Sequence, residues 1–477
     1  MLNLLLLLVG LACLLALFNW RWGISAAILM GLLQDPLRKL IPGAPAYIVL
    51  ASVPIWLAVI TSAHLTQQLN IQRFGRTFPR LNIWLLLFAA YLLIPAALSA
   101  TYGRNSWLIT ILGAFMYVTM FLVMVAGWQY PLPGFPIERL LAWYGIAAAI
   151  MLLGGPLEVW GAGDSWAAIG TKALDHVWVH HRMGAPVFMR AGFFRSPDVM
   201  GWHAAFAFMV AIILAFRRRR AARWLWVGLA IWALVNIWLC GRRKMFSMSL
   251  VFLGCYTFLV FRFSRVQRII STLGAIVMVL SSGWYLISSI FYDEAVERFY
   301  LTAFTEVDVQ LHRHGIGSVL STVKQAGFWG YGLGVTQQGV HNIANAEIPR
   351  AWQESGPSKM MAELGVPGTL LFLMFGAMLF VTAYRVVKLK QGHGAIALIA
   401  GLFSVLVANV ASALVSAQIY GDPLVVFLLA LTMGLLLSHA RNNRDSSSNQ
   451  PENGATCDEN NNMLEANIIA EVHSTSS

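Results

Sequence analysis

Hydrophobic positions fall along this chain in long runs separated by short polar turns. The runs cover about 3–18, 22–34, 45–63, 82–100, 107–128, 138–155, 198–216, 223–240, 245–262, 269–290, 359–384, 395–417 and 422–439. A helix needs about 20 apolar residues to cross the hydrocarbon core. The pattern therefore predicts an all-α fold, a polytopic transmembrane helix bundle of about 12–13 spans. The run at 22–34 is short for a full crossing and is expected to be tilted or re-entrant. The first run has no basic leader and no small-residue cleavage site, so it reads as a retained span.

Two longer segments, about 156–197 and 291–357, break the pattern and hold most of the His, Asp and Glu residues before the tail. Residues 1–440 are thus expected to form the bundle, with these segments as outer loops and the second loop large and partly helical. Within it, Ile316, Val319, Leu320 and Val323 have helical spacing and predict a short amphipathic helix on the membrane surface. Residues 441–477, rich in Asn, Ser, Asp and Glu, are expected to be a disordered cytoplasmic tail.

Composition sharpens this picture. Hydrophobic residues make up 58% of the chain and charged residues 11%, against about 25% charged in soluble domains. The net charge of +12 raises the question of nucleic acid. No soluble basic domain is present to bind it, and basic residues collect in cytoplasmic turns by the positive-inside rule. Arg73, Arg76 and Arg80, the group Arg217–Arg220 with Arg223, Arg262 with Arg265 and Arg268, and Arg385 with Lys388 and Lys390 all fall on one side of the expected bundle. Both long loops and the Gly241–Lys244 turn then face outward. Arg38 and Lys39 fit this scheme poorly and leave the side of the N-terminus open. Cys13, Cys240, Cys255 and Cys457 have neither zinc nor disulfide spacing.

Three constellations carry candidate chemistry. Arg190 and Arg195 precede Ser196-Pro197, a pairing that suits a helix start with Ser196 as cap. Guanidinium forks beside a helix N-terminus favour a phosphate; anchoring to lipid head groups is the alternative. Gly241-Arg242-Arg243-Lys244 places three cations on the outward side, against the charge rule, where a lipid-linked diphosphate would account for them; a topology shifted by one span would also do so. The cluster Gly330-Tyr-Gly-Leu-Gly334 has no βαβ context, so it reads as a tight turn bringing backbone close to a ligand, not as a dinucleotide site. Glu354 lies just before Pro357, which suits a first helical turn. A carboxylate there would serve either as general base for a sugar hydroxyl or as helix-end electrostatics. His176, His180, His181, His312 and His314 lack a metal-binding frame, and His341-Asn342 is a candidate polar contact. No metal cage and no cofactor motif is found, and neither a Walker loop nor a Gly-x-Ser-x-Gly motif occurs.

In their order these elements resemble the bacterial O-antigen ligase and O-antigen polymerase superfamily, polytopic glycosyltransferases of the GT-C type. The resemblance spans about residues 185–385. Arg190-x-Gly-x-Phe-x-x-Pro-Asp198 is similar to an Arg…Gly…Phe…Pro-Asn element, with Asp198 in place of Asn. Cys240-Gly-Arg-Arg-Lys244 is similar to a Ser-Arg-Gly turn that aligns Arg243. Gly330–Gly334 resembles a Gly-x-Gly-x-Gly stretch, and Glu363-Leu-Gly-Val-Pro-Gly368 resembles a closing Glu-x-Gly-x-x-Gly. The ligases carry His-Asn about eleven residues before that closing Gly. Here that position holds Glu354-Ser355, and His341-Asn342 lies about a dozen residues earlier. The resemblance implies a metal-independent, inverting transfer of a glycan from a polyprenyl-diphosphate carrier to a glycan or lipid acceptor. It places the reaction on the outer face of the bacterial cytoplasmic (inner) membrane, in cell-surface polysaccharide or exopolysaccharide biosynthesis. Arg190, Arg195, Arg242 and Arg243 would bind the diphosphate, with Glu354 as base and His341 as second choice. Membrane lipids and other polysaccharide-assembly proteins are the further expected partners. The alternatives are a transporter or flippase for lipid-linked glycans and a non-catalytic subunit of an assembly complex.

Overall fold

A computed structural model describes residues 1–182, 185–217, 221–263, 266–305, 317–337, 340, 343, 347–349, 355–389, 395–416 and 418–448. Their architecture is an all-α polytopic bundle, and its one sheet among these residues is a small hairpin. Among the described residues, ten helical segments are long and apolar enough to cross a membrane, and Leu2–Phe18 and Ile276–Ile290 are shorter apolar helices. The chain is a multi-pass membrane protein.

The helices are α1 (Leu2–Phe18), α2 (Trp20–Lys39), α3 (Val53–Leu65), α4 (Ile71–Thr77), α5 (Pro79–Tyr91), α6 (Leu93–Ser99), α7 (Ser106–Gln129), α8 (Ile137–Met151) and α9 (Gly154–Val159). The hairpin β1 (Val179–Arg182) and β2 (Ala185–Phe188) follows. Then come α10 (Pro197–Arg217), α11 (Ala221–Leu239), α12 (Arg243–Phe263), α13 (Val266–Ile290), α14 (Glu294–Thr305), α15 (Gly317–Ala326), α16 (Gly356–Lys388), α17 (Ala395–Val415) and α18 (Pro423–Ser448).

Helix α10 is the hub. It is apolar on every face, as a central helix must be, and packs against α8, α11, α12 and α17. Lipid tails are as apolar as Leu, so helix association in a membrane depends on close packing of small residues. The α7–α18 crossing shows this: a Cβ on Gly127 would stand 2.7 Å from the Leu431 carbonyl oxygen, and one on Gly434 would strike the Met124 carbonyl. At the perimeter, Leu7, Leu11, Leu86, Leu373 and Phe258 stay exposed and offer an apolar surface to lipid.

Four expectations change. The short run at 22–34 is the middle of a 20-residue helix, α2, which continues through Pro36 to Lys39. Its polar ends, Arg21, Gln34, Asp35 and Lys39, are buried by partners elsewhere in the bundle, so hydropathy alone understates its length. Helix α18 continues past residue 441, the expected start of the tail, to Ser448; no proline interrupts the chain until Pro451, and the rest of the expected tail, 449–477, lies outside the described residues. Of the amphipathic segment, Gly317–Ala326 is helical, as α15, but it docks on α16: Ser318 Oγ lies 2.5 Å from Ser358 Oγ, and Thr322 is buried while Leu320 is exposed. The remaining difference concerns the glycine cluster, described with the site.

Candidate functional site

Polar groups gather at the end of the bundle that carries both long loops. The turn between α11 and α12 is tight because Gly241 takes a φ of +63°. It presents Arg242, Arg243 and Lys244 at the start of α12. The preceding residue Leu239 accepts a hydrogen bond from the Arg190 N–H at 3.2 Å. Two arginine motifs about fifty residues apart in sequence thus share one backbone junction. Ser196 caps α10 as expected, its Oγ accepting from the Val199 N–H at 3.3 Å.

Asp198, in the first turn of α10, organises the cations. Its carboxylate lies 2.7 Å from Arg242 Nη2 and 2.5 Å from Lys244 Nζ. Lys244 also donates to Ser416 Oγ at 2.7 Å, tying α12 to the end of α17. An Asn at position 198 would carry no charge to answer either cation. Arg242 lies over the Trp178 ring at 5.3 Å, and Arg243 over the Phe299 ring at 4.6 Å. Arg190 is one-third exposed and 3.9 Å from Glu158. Glu158 in turn accepts from the N–H groups of Ala191 at 2.9 Å and Gly192 at 2.6 Å, which fixes the loop carrying Arg190. Among the described residues, four cations and two carboxylates meet here.

Arg195 has a different setting. Its Nη1 lies 3.2 Å from Asp35 and its Nη2 2.5 Å from Asp422, and its backbone N–H also donates to Asp35 at 3.1 Å. Burial by itself lowers the guanidinium's pKa, but the Asp422 and Asp35 carboxylates reverse this and raise it above the ordinary arginine value. Arg195 in this arrangement joins α2, α10 and α18. Beside it, buried Lys39 donates to the carbonyls of Gly192 at 2.9 Å and Phe194 at 2.6 Å. These loop carbonyls hold Lys39 at the loop-bearing end.

Glu354 and His341 lie outside the described residues. Ser355, which follows Glu354, caps α16 and accepts from the Ser358 N–H at 3.3 Å. Gly356 packs against the Ala413 carbonyl of α17, one turn from Ser416 and its lysine contact. The start of α16 is thereby brought to the cation cluster.

The glycine cluster approaches protein backbone, where a ligand was expected. Gly330, Gly332 and Gly334 all have positive φ, and they insert the loop between α6, α7 and the first part of α16. Tyr331 N–H donates to the Ala362 carbonyl at 2.7 Å, and Leu333 N–H to the Pro95 carbonyl at 2.9 Å. Opposite them α16 is broken at Gly365 (φ +66°, ψ −171°). The preceding Glu363 is fully buried and accepts from Tyr117 Oη at 3.0 Å, Thr336 Oγ1 at 2.5 Å and Thr336 N–H at 3.2 Å. The sequence marked Glu363 as part of a closing motif and gave it no role. A carboxylate inside an apolar run is the signal that points to it.

No protein-family model and no curated protein matches the chain.

Proposed function

We propose that this membrane protein is a glycosyltransferase of the O-antigen ligase and polymerase type, transferring a glycan from a polyprenyl-diphosphate carrier to an acceptor hydroxyl. The observation that carries the reading is the junction of Arg190 with the Arg242–Lys244 turn, which gathers the cations of two arginine motifs at the loop-bearing end. In the reaction the acceptor oxygen attacks the anomeric carbon as the bond from that carbon to the phosphate oxygen breaks. The configuration inverts, the diphosphate leaves with the bond's electron pair, and the hydroxyl proton passes to a base. Arg190, Arg242, Arg243 and Lys244 stabilise the charge growing on the diphosphate, commonly the largest single contribution in such a step. Glu354 is the base favoured by its position beside a helix start, and His341 the second choice. The loop-bearing end then faces outward from a bacterial cytoplasmic membrane.

The rival reading is a transporter of lipid-linked glycans. It draws on the break in α16 and the buried Glu363, since transporters use interrupted helices. One experiment separates the two. The purified protein in nanodiscs receives polyprenyl-diphosphate oligosaccharides, and glycan length is followed by gel and mass spectrometry. A ladder of repeats, or transfer to an added acceptor, abolished by Arg190→Gln and Arg242→Gln, supports the enzyme. Intact donor, together with glycan movement across proteoliposomes, supports the transporter and refutes the proposal.

A further inference from the structure

Helix α16 enters the bundle at the loop-bearing end and carries a lysine near its start. Lys359 lies within Gly356–Lys388, a segment long and apolar enough to cross a membrane. Ser355 and Ser358 beside it are fully buried and hold each other, Oγ to Oγ at 2.5 Å, and Lys359 itself is half-buried. Its backbone N–H donates to the Ser355 carbonyl at 3.0 Å, so the turn that carries it is fixed. Its ammonium is not. Among the described residues the Lys359 side chain has neither a hydrogen bond nor an ion pair. Glu363, one turn further on, acts on it electrostatically, but the oxygens of that carboxylate are taken, Oε2 by Tyr117 and Oε1 by Thr336.

Lys244 and Lys39, at the same end, are answered by Asp198 and by loop carbonyls. A lysine near a helix end that snorkels keeps its head group in water; burial desolvates the head group of Lys359. A buried charge is costly unless an opposite charge answers it, and an ionisable side chain inside an apolar span points to function. Side chains of a helix lean toward its N-terminus, so Lys359 reaches back to the end of the bundle where α16 starts. It shares a face with Gly356, three residues before it. Gly356 packs on the Ala413 carbonyl of α17, one turn from the Ser416 that accepts from Lys244.

We propose that Lys359 is a further substrate-binding cation, its ammonium donating to a non-bridging phosphate oxygen of a diphosphate held at the Arg242–Lys244 turn. The inference rests on the transfer reading above and adds to it a residue outside both arginine motifs. An ammonium is a compact point charge, so a single phosphate oxygen answers it. A group kept for a ligand and not for the fold trades stability for function: without a bound anion the Lys359 charge destabilises the bundle, and with one it contributes affinity.

The test uses the full chain in a neutral detergent, with inorganic pyrophosphate as the probe. Lys359→Met keeps an unbranched side chain and removes the charge. Calorimetric titration gives the affinity for pyrophosphate, and thermal unfolding gives the stability of the ligand-free protein. The expected result is a Lys359→Met protein that unfolds at or above the wild-type temperature and binds pyrophosphate at least tenfold more weakly. A lysine that serves the fold gives the opposite, a lower unfolding temperature with unchanged affinity. Either of those two changes, or a wild type that does not bind pyrophosphate, overturns the proposal. The nanodisc transfer assay reports on the enzyme reading separately. Intact donor there refutes transfer, while pyrophosphate affinity lost in Lys359→Met still marks Lys359 as an anion contact. Transfer by the wild type, with the same donor KM in Lys359→Met, refutes the role of Lys359 and leaves the enzyme reading in place.

Discussion

Replacing Arg195 by Met separates a structural cation from a substrate-binding one. The guanidinium lies 3.2 Å from Asp35 and 2.5 Å from Asp422, carboxylates whose side chains are 3% and 1% exposed. At an effective dielectric of ~20, one such contact at 3.2 Å is worth about 5 kcal/mol of gross attraction, most of it offset by desolvation of the charges. Removing the arginine leaves two buried carboxylates without their shared counter-ion, and breaking a buried pair in this way costs about 3–5 kcal/mol. Since 1.4 kcal/mol is tenfold in an equilibrium constant, the folded-to-unfolded ratio falls by roughly two to three and a half orders of magnitude. The assay is SDS-driven unfolding in mixed micelles for the wild type, Arg195→Met, Asp422→Asn and the pair. In a double-mutant cycle, residues in one ion network couple by about 0.5–3 kcal/mol, so the paired variant is expected to lose less than the sum of the single losses. A wild-type unfolding midpoint for Arg195→Met, with transfer activity abolished, would refute the reasoning and return Arg195 to the diphosphate site.

Two further outcomes follow from the break in α16. Gly365→Ala puts a side chain into backbone with φ +66° and ψ −171°, against the backbone carbonyls of Phe328 and Trp329. The strain alone is about 1–3 kcal/mol, and the expected result is release of the glycine-rich loop, read as new protease cleavage near 328–335. Glu363→Ala leaves the Tyr117 hydroxyl and both Thr336 donors without their acceptor, at roughly 1–3 kcal/mol for each donor left unsatisfied. Glu363→Gln keeps an acceptor and should restore most of the unfolding midpoint; equal losses in the two variants would show that the charge matters more than the hydrogen bonds.

The helical, membrane-spanning architecture was legible in the sequence because hydropathy is local. Each apolar run states by its own length that it can cross a bilayer, and Ser196 and Pro357 mark helix starts through chemistry within a few residues. The arginine motifs were also legible as residue types, including the odd placement of Arg242–Lys244 on the loop-bearing side. Their partners were not. Asp35 and Asp422 lie 160 and 227 residues from Arg195, and no periodicity or motif connects positions so far apart. Only the packing of α2, α10 and α18 decides that Arg195 meets two carboxylates while Arg190 keeps part of its surface in the open. The same holds for the glycine cluster: the sequence predicts turns there, but the backbone those turns approach belongs to helices brought in from elsewhere in the chain. Local hydrophobicity determined what this protein is made of, and long-range burial decided which of its charges hold the bundle together and which stay partly open.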